Sequence, residues 1–396
     1  MKPRTTPSLR RGTRGFSLIE LMVGVAIALV VTLGIFSVLS VSESRRRTTS
    51  SVNDIGQSGS YATYLLDRAI RSAGSGLTSR WDETIGCLIN ASRSSTQILP
   101  RTAALPAPFA AVTADLRLAP VVIAEGQSAA GSDVLMVMAG SSGFGEVAAQ
   151  AEGPTLVADG PGVLLRNTIG FGGGDLVLLA NQPDCLLSQV EATQAGTAVP
   201  KDASSLVHGA DPRLLLDGAY YTASGSTVNL ADITDTAVAA SIGNVAAANP
   251  PQFRLYGVGD NLTLFSYDLL RIDGSDAALP IAEGVMQLRA VYGVDTDNNR
   301  VLDAWVAPTG TTWGADALLS PAGAANLRNI LAVRFAVVLR SSLVERTIVA
   351  PASLPLFADL PDVATTVTIA TGERNFRYRV IESTIPLRNT LLLPAL

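Results

Sequence analysis

Residues 16–41 form a run of 26 positions interrupted by a single charge, Glu20. As a helix, at about 1.5 Å per residue, the run is roughly 39 Å long, enough to cross the ~30 Å hydrocarbon core of a bilayer with some tilt. The pattern then changes. Val52, Ile55, Gly59, Ala62, Leu66, Ala69 and Ala73 recur at spacings of 3, 4, 3, 4, 3 and 4, with Asp54, Asp67, Arg68 and Arg71 mostly elsewhere. This is the period of one helical face, widened by Leu65 and Ile70. It predicts that the second half of the helix lies against a folded body, and Gly74-Ser75-Gly76 predicts its stop.

Beyond Gly76 no helical period runs as long. Short apolar runs rich in β-branched residues take over at Val121–Ala124, Val134–Ala139, 163–166, 176–180, 262–267, 285–292, Ile330–Arg340 and 376–387. In the last, polar residues interrupt Phe376, Tyr378, Val380 and Ile385, which suits a half-buried antiparallel strand. Pro and Gly punctuate the intervals, and the Ala/Gly/Ser-rich stretches 140–162 and 222–251 read as long surface loops. The expected fold is α+β: one long N-terminal helix, apolar all round and then amphipathic, packed on a mainly antiparallel β-rich body. The segments are 1–15, 16–41, 42–74 and 75–396.

Composition agrees with a folded chain, since 47% of residues are apolar and 16% charged. Charge adds a direction. Lys2, Arg4, Arg10, Arg11 and Arg14 give the first fifteen residues +5 with no acid, so the remainder of a chain of net charge −5 carries −10. Basic residues ahead of the apolar run favour that end remaining in the cytoplasm, with a single pass and an exported body. The run is too long for an ordinary secretory signal, so a plain signal anchor is the simplest alternative. The acidic body argues against nucleic acid as a partner, because such binding rests on Lys and Arg neutralising phosphates. Cys87 and Cys185 lack a CxxC spacing, and His208 is the single histidine, so neither a zinc ribbon nor a His-rich metal site can be built. Outside the cytoplasm the cysteine pair reads as a disulfide; in the cytosol it reads as two separately buried thiols.

The junction Gly15-Phe16-Ser17-Leu18-Ile19-Glu20-Leu21-Met22 resembles the type IV prepilin signature, in which a basic leader ends in Gly before Phe-(Ser/Thr)-Leu-(Ile/Val)-Glu-Leu. The resemblance implies cleavage after Gly15 by prepilin peptidase and N-methylation of Phe16. It also implies that Glu20 is an assembly carboxylate, neutralised in the filament by the N-terminal amine of a neighbouring subunit. A carboxylate in a membrane helix is costly, about 2.5–3.5 kcal/mol at central positions, and is usually kept for such a partner.

The body resembles PilW-type minor pilins. The resemblance is carried by 61–74 (YATYLLDRAIRSAG), 131–138 (GSDVLMVM), 175–185 (DLVLLANQPDC), 282–303 (AEGVMQLRAVYGVDTDNNRVLD), 329–341 (NILAVRFAVVLRS) and 377–389, which ends in IPLRN. It implies a minor pilin of the type IV pilus, anchored in the inner membrane before entering the filament. Implied partners are the major pilin, other minor pilins and a large tip adhesin. Two alternatives share the N-terminus: a pseudopilin of a type II secretion system, and a pilus-borne adhesin or DNA-uptake receptor.

Asp295, Asp297, Asn299 and Asp303, with the carbonyl of Val301, fall at positions 1, 3, 5, 9 and 7 of a calcium-binding loop, where alternate oxygens wrap a cation. Arg300 stands where that loop wants Gly, and Val306 where it wants a bidentate Glu, so an acidic hairpin turn without metal is the simpler expectation. There is no GxSxG, P-loop or HExxH, and no enzyme is expected. Residues 170–174 are glycine-rich, but no helix is expected after them to place amides round a phosphate. Asn90-Ala91-Ser92 and Asn261-Leu262-Thr263 fit the short glycosylation sequon.

Overall fold

The computed structural model describes residues 15, 17–141, 148–152, 156–157, 160–194, 213–216, 218, 220–223, 225–245 and 249–394. Phe16 and His208 lie outside them. One helix runs from Leu18 to Ser72, and the chain divides into two compact units, Met1–Asn53 and Asp54–Leu396.

In the first unit the large apolar side chains from Leu18 to Leu39 are all at least 54% exposed, so none of the described residues covers them. The hydroxyls among them turn inward. Thr32 donates to the carbonyl of Ala28 (2.7 Å), Ser37 to Gly34 (2.8 Å) and Ser40 to Ser37 (2.9 Å). Each of these three hydroxyls is thus satisfied by its own helix, which is what a hydrocarbon surrounding demands.

In the second unit the helix behaves as its period predicts. Ile55, Ala62, Leu66, Ala69, Ile70 and Ala73 are buried, while Val52, upstream, is exposed. Gly59 marks the closest approach: a Cβ there would lie 2.8 Å from Ile381 Cδ1 and 2.8 Å from Leu339 Cδ1. The helix stops as the glycines predict. Gly74 turns with a φ of +76°, a left-handed conformation that favours glycine, and its N–H donates to the carbonyl of Met138 at 2.8 Å. Asn389 Nδ2 donates to the Ala73 carbonyl at 2.8 Å and so ties the far end of the chain to this stop.

The strands facing the helix belong to a four-stranded antiparallel sheet in the order Ala304–Val306, Val285–Val294, Ile330–Arg340, Tyr378–Pro386. A five-stranded antiparallel sheet has the order Leu279–Glu283, Thr263–Asp268, Gln252–Gly259, Val134–Ala139, Val121–Ala124. Tyr292 links the two sheets: its fully buried phenol oxygen accepts from the Ile123 N–H at 2.5 Å. Asp133 does the same with charge: it accepts from the amides of Gly126 and Ala290 and pairs with Arg289 at 2.9 Å. Burial pushes the Asp133 carboxyl above its ordinary pKa, against the pull of those amides and of Arg289.

A seven-stranded sheet completes the main framework. Its path is Tyr221–Thr222, Leu88–Arg93, Asp184–Gln189, Asp175–Asn181, Val238–Asn244, Ala149–Gln150, with Thr96–Leu99 also on Leu88–Arg93. Here Leu88–Arg93 and Asp184–Gln189 pair in parallel, which the expectation of a mainly antiparallel body accommodates as an exception. Cys87 and Cys185 are joined beside this pairing, 98 residues apart in sequence. A link closing a loop of roughly 100 residues stabilises by about 4.7 kcal/mol in the chain-entropy description.

The expected surface loops need correcting. Within 222–251, Val238–Asn244 is a strand inside the seven-stranded sheet, buried from Val238 to Gly243, and within 140–162 lie Ala149–Gln150, Leu156–Val157 and Gly160–Leu164. Val238-Ala-Ala-Ser-Ile-Gly has no alternation because both faces are covered, and its small side chains fit between packed layers.

Candidate functional site

Gly15 is exposed, and a Cβ built on it would meet nothing within 4 Å. Ser17 follows just before the helix: its Oγ accepts from the Glu20 N–H at 3.4 Å and its carbonyl from the Leu21 N–H at 3.1 Å. These bonds satisfy amides that a helix start leaves without partners. Glu20 therefore sits in the first turn, where the amide dipoles favour a negative charge, with exposed Ile19, Leu21 and Met22 around it. At the other end of the apolar run Arg45, Arg46 and Arg47 are exposed, and Arg47 pairs with Glu43 at 3.0 Å. Among the described residues this is one helix long and apolar enough to cross a membrane.

The acidic turn joins Val285–Val294 to Ala304–Val306. It brings Asp295, Asp297 and Asp303 together, with one oxygen of each within 4.8 Å of the others. The oxygens are largely engaged by the turn itself. Asp295 is buried and accepts from the amides of Asp297 (3.2 Å), Asn299 (3.2 Å) and Arg300 (2.7 Å). Asp303 accepts from the amide and hydroxyl of Thr296, and Asn299 Oδ1 accepts from the Val301 amide. Burial works to raise the Asp295 pKa, but the surrounding amides outweigh it and hold the carboxyl below its ordinary value. At the position where a calcium loop has Gly, Arg300 takes φ +67° itself, and its guanidinium leaves the turn to reach the carbonyl of Arg328 at 2.8 Å. Val306 lies in a strand and offers no ligand oxygen from its side chain.

Other residues singled out by sequence find structural places. Residues 170–174 run into the strand Asp175–Asn181, so no helix amides face them. Asn90 is buried and donates to the carbonyl of Leu88 at 3.0 Å, whereas Asn261 is exposed in the turn before Thr263–Asp268. Sequence reasoning passed over Asp133 and Arg289. The run Gly131-Ser132-Asp133 ahead of an apolar strand looks like an ordinary turn, and only the packing of two sheets gives it a buried ion pair.

Two family descriptions match the chain. Residues 10–36 match the prokaryotic N-terminal methylation motif, and residues 256–389 match Type IV Pilus-assembly protein W. No curated protein and no solved structure matches. The second match starts within Gln252–Gly259 and contains the whole four-stranded sheet that meets the helix, together with the acidic turn. The two matches, the apolar N-terminal helix and the β-rich body together describe a type IV pilus-related pilin.

Proposed function

We propose that this chain is a minor pilin that takes part in assembling a type IV pilus, as a member of its priming or tip complex. It is held first in the inner membrane by residues 16–41, with the leader in the cytoplasm and the body exported. The observation that carries the reading is Glu20: a carboxylate in the first turn of a helix whose following apolar residues are exposed on every side. Such a helix is built to be surrounded, first by lipid and then by like helices, and the carboxylate needs a cation in both settings. The amine freed at Phe16 by cleavage after Gly15 supplies it, from a neighbouring subunit. The body presents the surfaces that other minor pilins, the major pilin and a tip adhesin would contact. The leader holds +5, while the exported flank has its Arg47 offset by Glu43, which supports the stated orientation.

Cleavage at Gly15 is the direct test. Gly15→Val meets none of the described residues, so its effect is expected on peptidase recognition. The variant is expected to accumulate as full-length precursor in the membrane fraction, by intact mass. Mature protein beginning at Phe16 in normal amounts would remove the basis of the reading.

A further inference from the structure

The hairpin of Gln252–Gly259 and Thr263–Asp268 carries two glycines, Gly257 and Gly259, at alternate positions and so on one face of its first strand. Each stands against an aromatic ring. A Cβ on Gly257 would lie 2.9 Å from Phe109 Cε1, and one on Gly259 would lie 2.5 Å from Phe265 Cε2. Beside Gly259 opens a cleft of about 430 Å³, walled by residues from 107–111 and 127–129 and by the hairpin turn. Small-molecule sites are clefts of about 300–1,000 Å³, mostly apolar, with a few placed polar groups.

The walls are held by bonds of their own. Phe109 is fully buried, and the amides of Phe109 and Val112 donate to the carbonyls of Pro106 (2.9 Å) and Phe109 (3.0 Å). The Ser128 amide donates to the Ser132 carbonyl at 2.9 Å, and its Oγ accepts from the Val258 N–H at 3.1 Å. That bond uses the oxygen and leaves the Ser128 hydroxyl proton to donate. In the turn, the Thr263 hydroxyl donates to the Asn261 carbonyl at 3.2 Å. The side chains of Asp260 and Asn261 hold nothing in place: both residues are exposed, and among the described residues neither side chain has a polar partner.

The groups lining the cleft select a class of ligand. Among the described residues no Lys, Arg or His lines it, and Asp260 is its one charge, so an anion finds no partner there. Phe265 is its one aromatic residue, whereas an ammonium cage sets several rings around the cation. A molecule with an apolar C–H face and a hydroxyl edge suits every group. Its face packs on the half-buried Phe265 ring, whose electron-rich surface attracts C–H. Its neighbouring hydroxyls meet a carboxylate that accepts, a carboxamide that donates and accepts, and the Ser128 hydroxyl. We infer that this cleft binds a neutral saccharide, with Phe265 as the platform and Asp260, Asn261 and Ser128 as the hydroxyl partners. The cleft lies wholly within the second unit, so its binding does not depend on how the chain is anchored.

The test is saturation-transfer NMR on the full chain, in a detergent without a sugar headgroup. The probes are the methyl glycosides of glucose, galactose, mannose and N-acetylglucosamine. The methyl glycoside of N-acetylneuraminic acid and choline serve as anionic and cationic controls. At least one neutral glycoside is expected to receive saturation, strongest at its ring C–H protons, and neither control is. Asp260→Ala combined with Asn261→Ala should weaken that binding by roughly tenfold or more. Its melting temperature should match the wild type, because both side chains are exposed and unbonded. Phe265→Leu keeps the apolar bulk, removes the flat ring and should also weaken binding. No transfer to any neutral glycoside overturns the saccharide site, as does transfer that the double variant leaves at the wild-type level. Stronger transfer to either control than to every neutral glycoside overturns it too.

Discussion

Asp295 fixes the acidic turn by accepting several amides at once, and its chemistry is that of a carboxylate that must stay ionised. Its folded pKa lies below the unfolded value of about 3.9, so the folded state binds this proton less tightly. The stability it contributes is fully present above that value and is lost as pH falls through the lowered one. Asp295→Asn should therefore lower the melting temperature at neutral pH and flatten its decline below about pH 4. Thermal melts across the acid range check this. Calcium is a separate question for the same turn. With the carboxylates engaged by amides, added calcium is expected to leave the melting temperature unchanged; a rise that Asp297→Ala abolishes would instead establish an ion site. The alternating acids were legible in the sequence because ligand spacing is a local property. That Arg300 would adopt the left-handed turn, with its guanidinium tied to the Arg328 carbonyl, was not, because the tie comes from a distant part of the chain.

The helix was the most legible element, because its stripe repeats on one period and its stop is written in glycine. Gly59 shows the limit of that reading. Periodicity places it on the buried face, but only the structure gives it Ile381 and Leu339 as neighbours. Gly59→Ala sets a helix gain of about 0.5–1 kcal/mol against small shifts of two side-chain ends and should be close to neutral. Gly59→Leu must displace both neighbours, and overpacking of about 1–3 kcal/mol should dominate, read as a lower melting temperature of the detergent-solubilised chain. Unchanged melting of the Leu variant would mean the helix does not pack through this face. Among strands, Val121–Ala124, Val134–Ala139 and Ile330–Arg340 were readable as short apolar runs with β-branched residues. Val238–Asn244 was not: alanine and serine carry little strand preference, and its burial on both faces is set by neighbours from elsewhere in the chain.

The molecule as a whole joins an anchor meant to be surrounded to a body stapled by Cys87–Cys185 and tied at its end to the helix stop through Asn389. The N-terminal signature was legible at once, since the junction from Gly15 to Glu20 is contiguous, and the methylation-motif match over residues 10–36 covers it. The body's order of strands was not, because its sheets assemble from segments far apart in sequence. The account stands on the claim that the mature chain enters a filament through Glu20. The direct measurement is recovery of the chain in sheared pili, quantified against its level in the membrane fraction, for the wild type and Glu20→Ala. Removing the charge should leave membrane insertion intact or improved, so membrane levels are expected to match, with the wild type in the filaments and the variant depleted from them. Glu20→Ala recovered in sheared filaments at the wild-type level, or a wild-type chain absent from them, would contradict it.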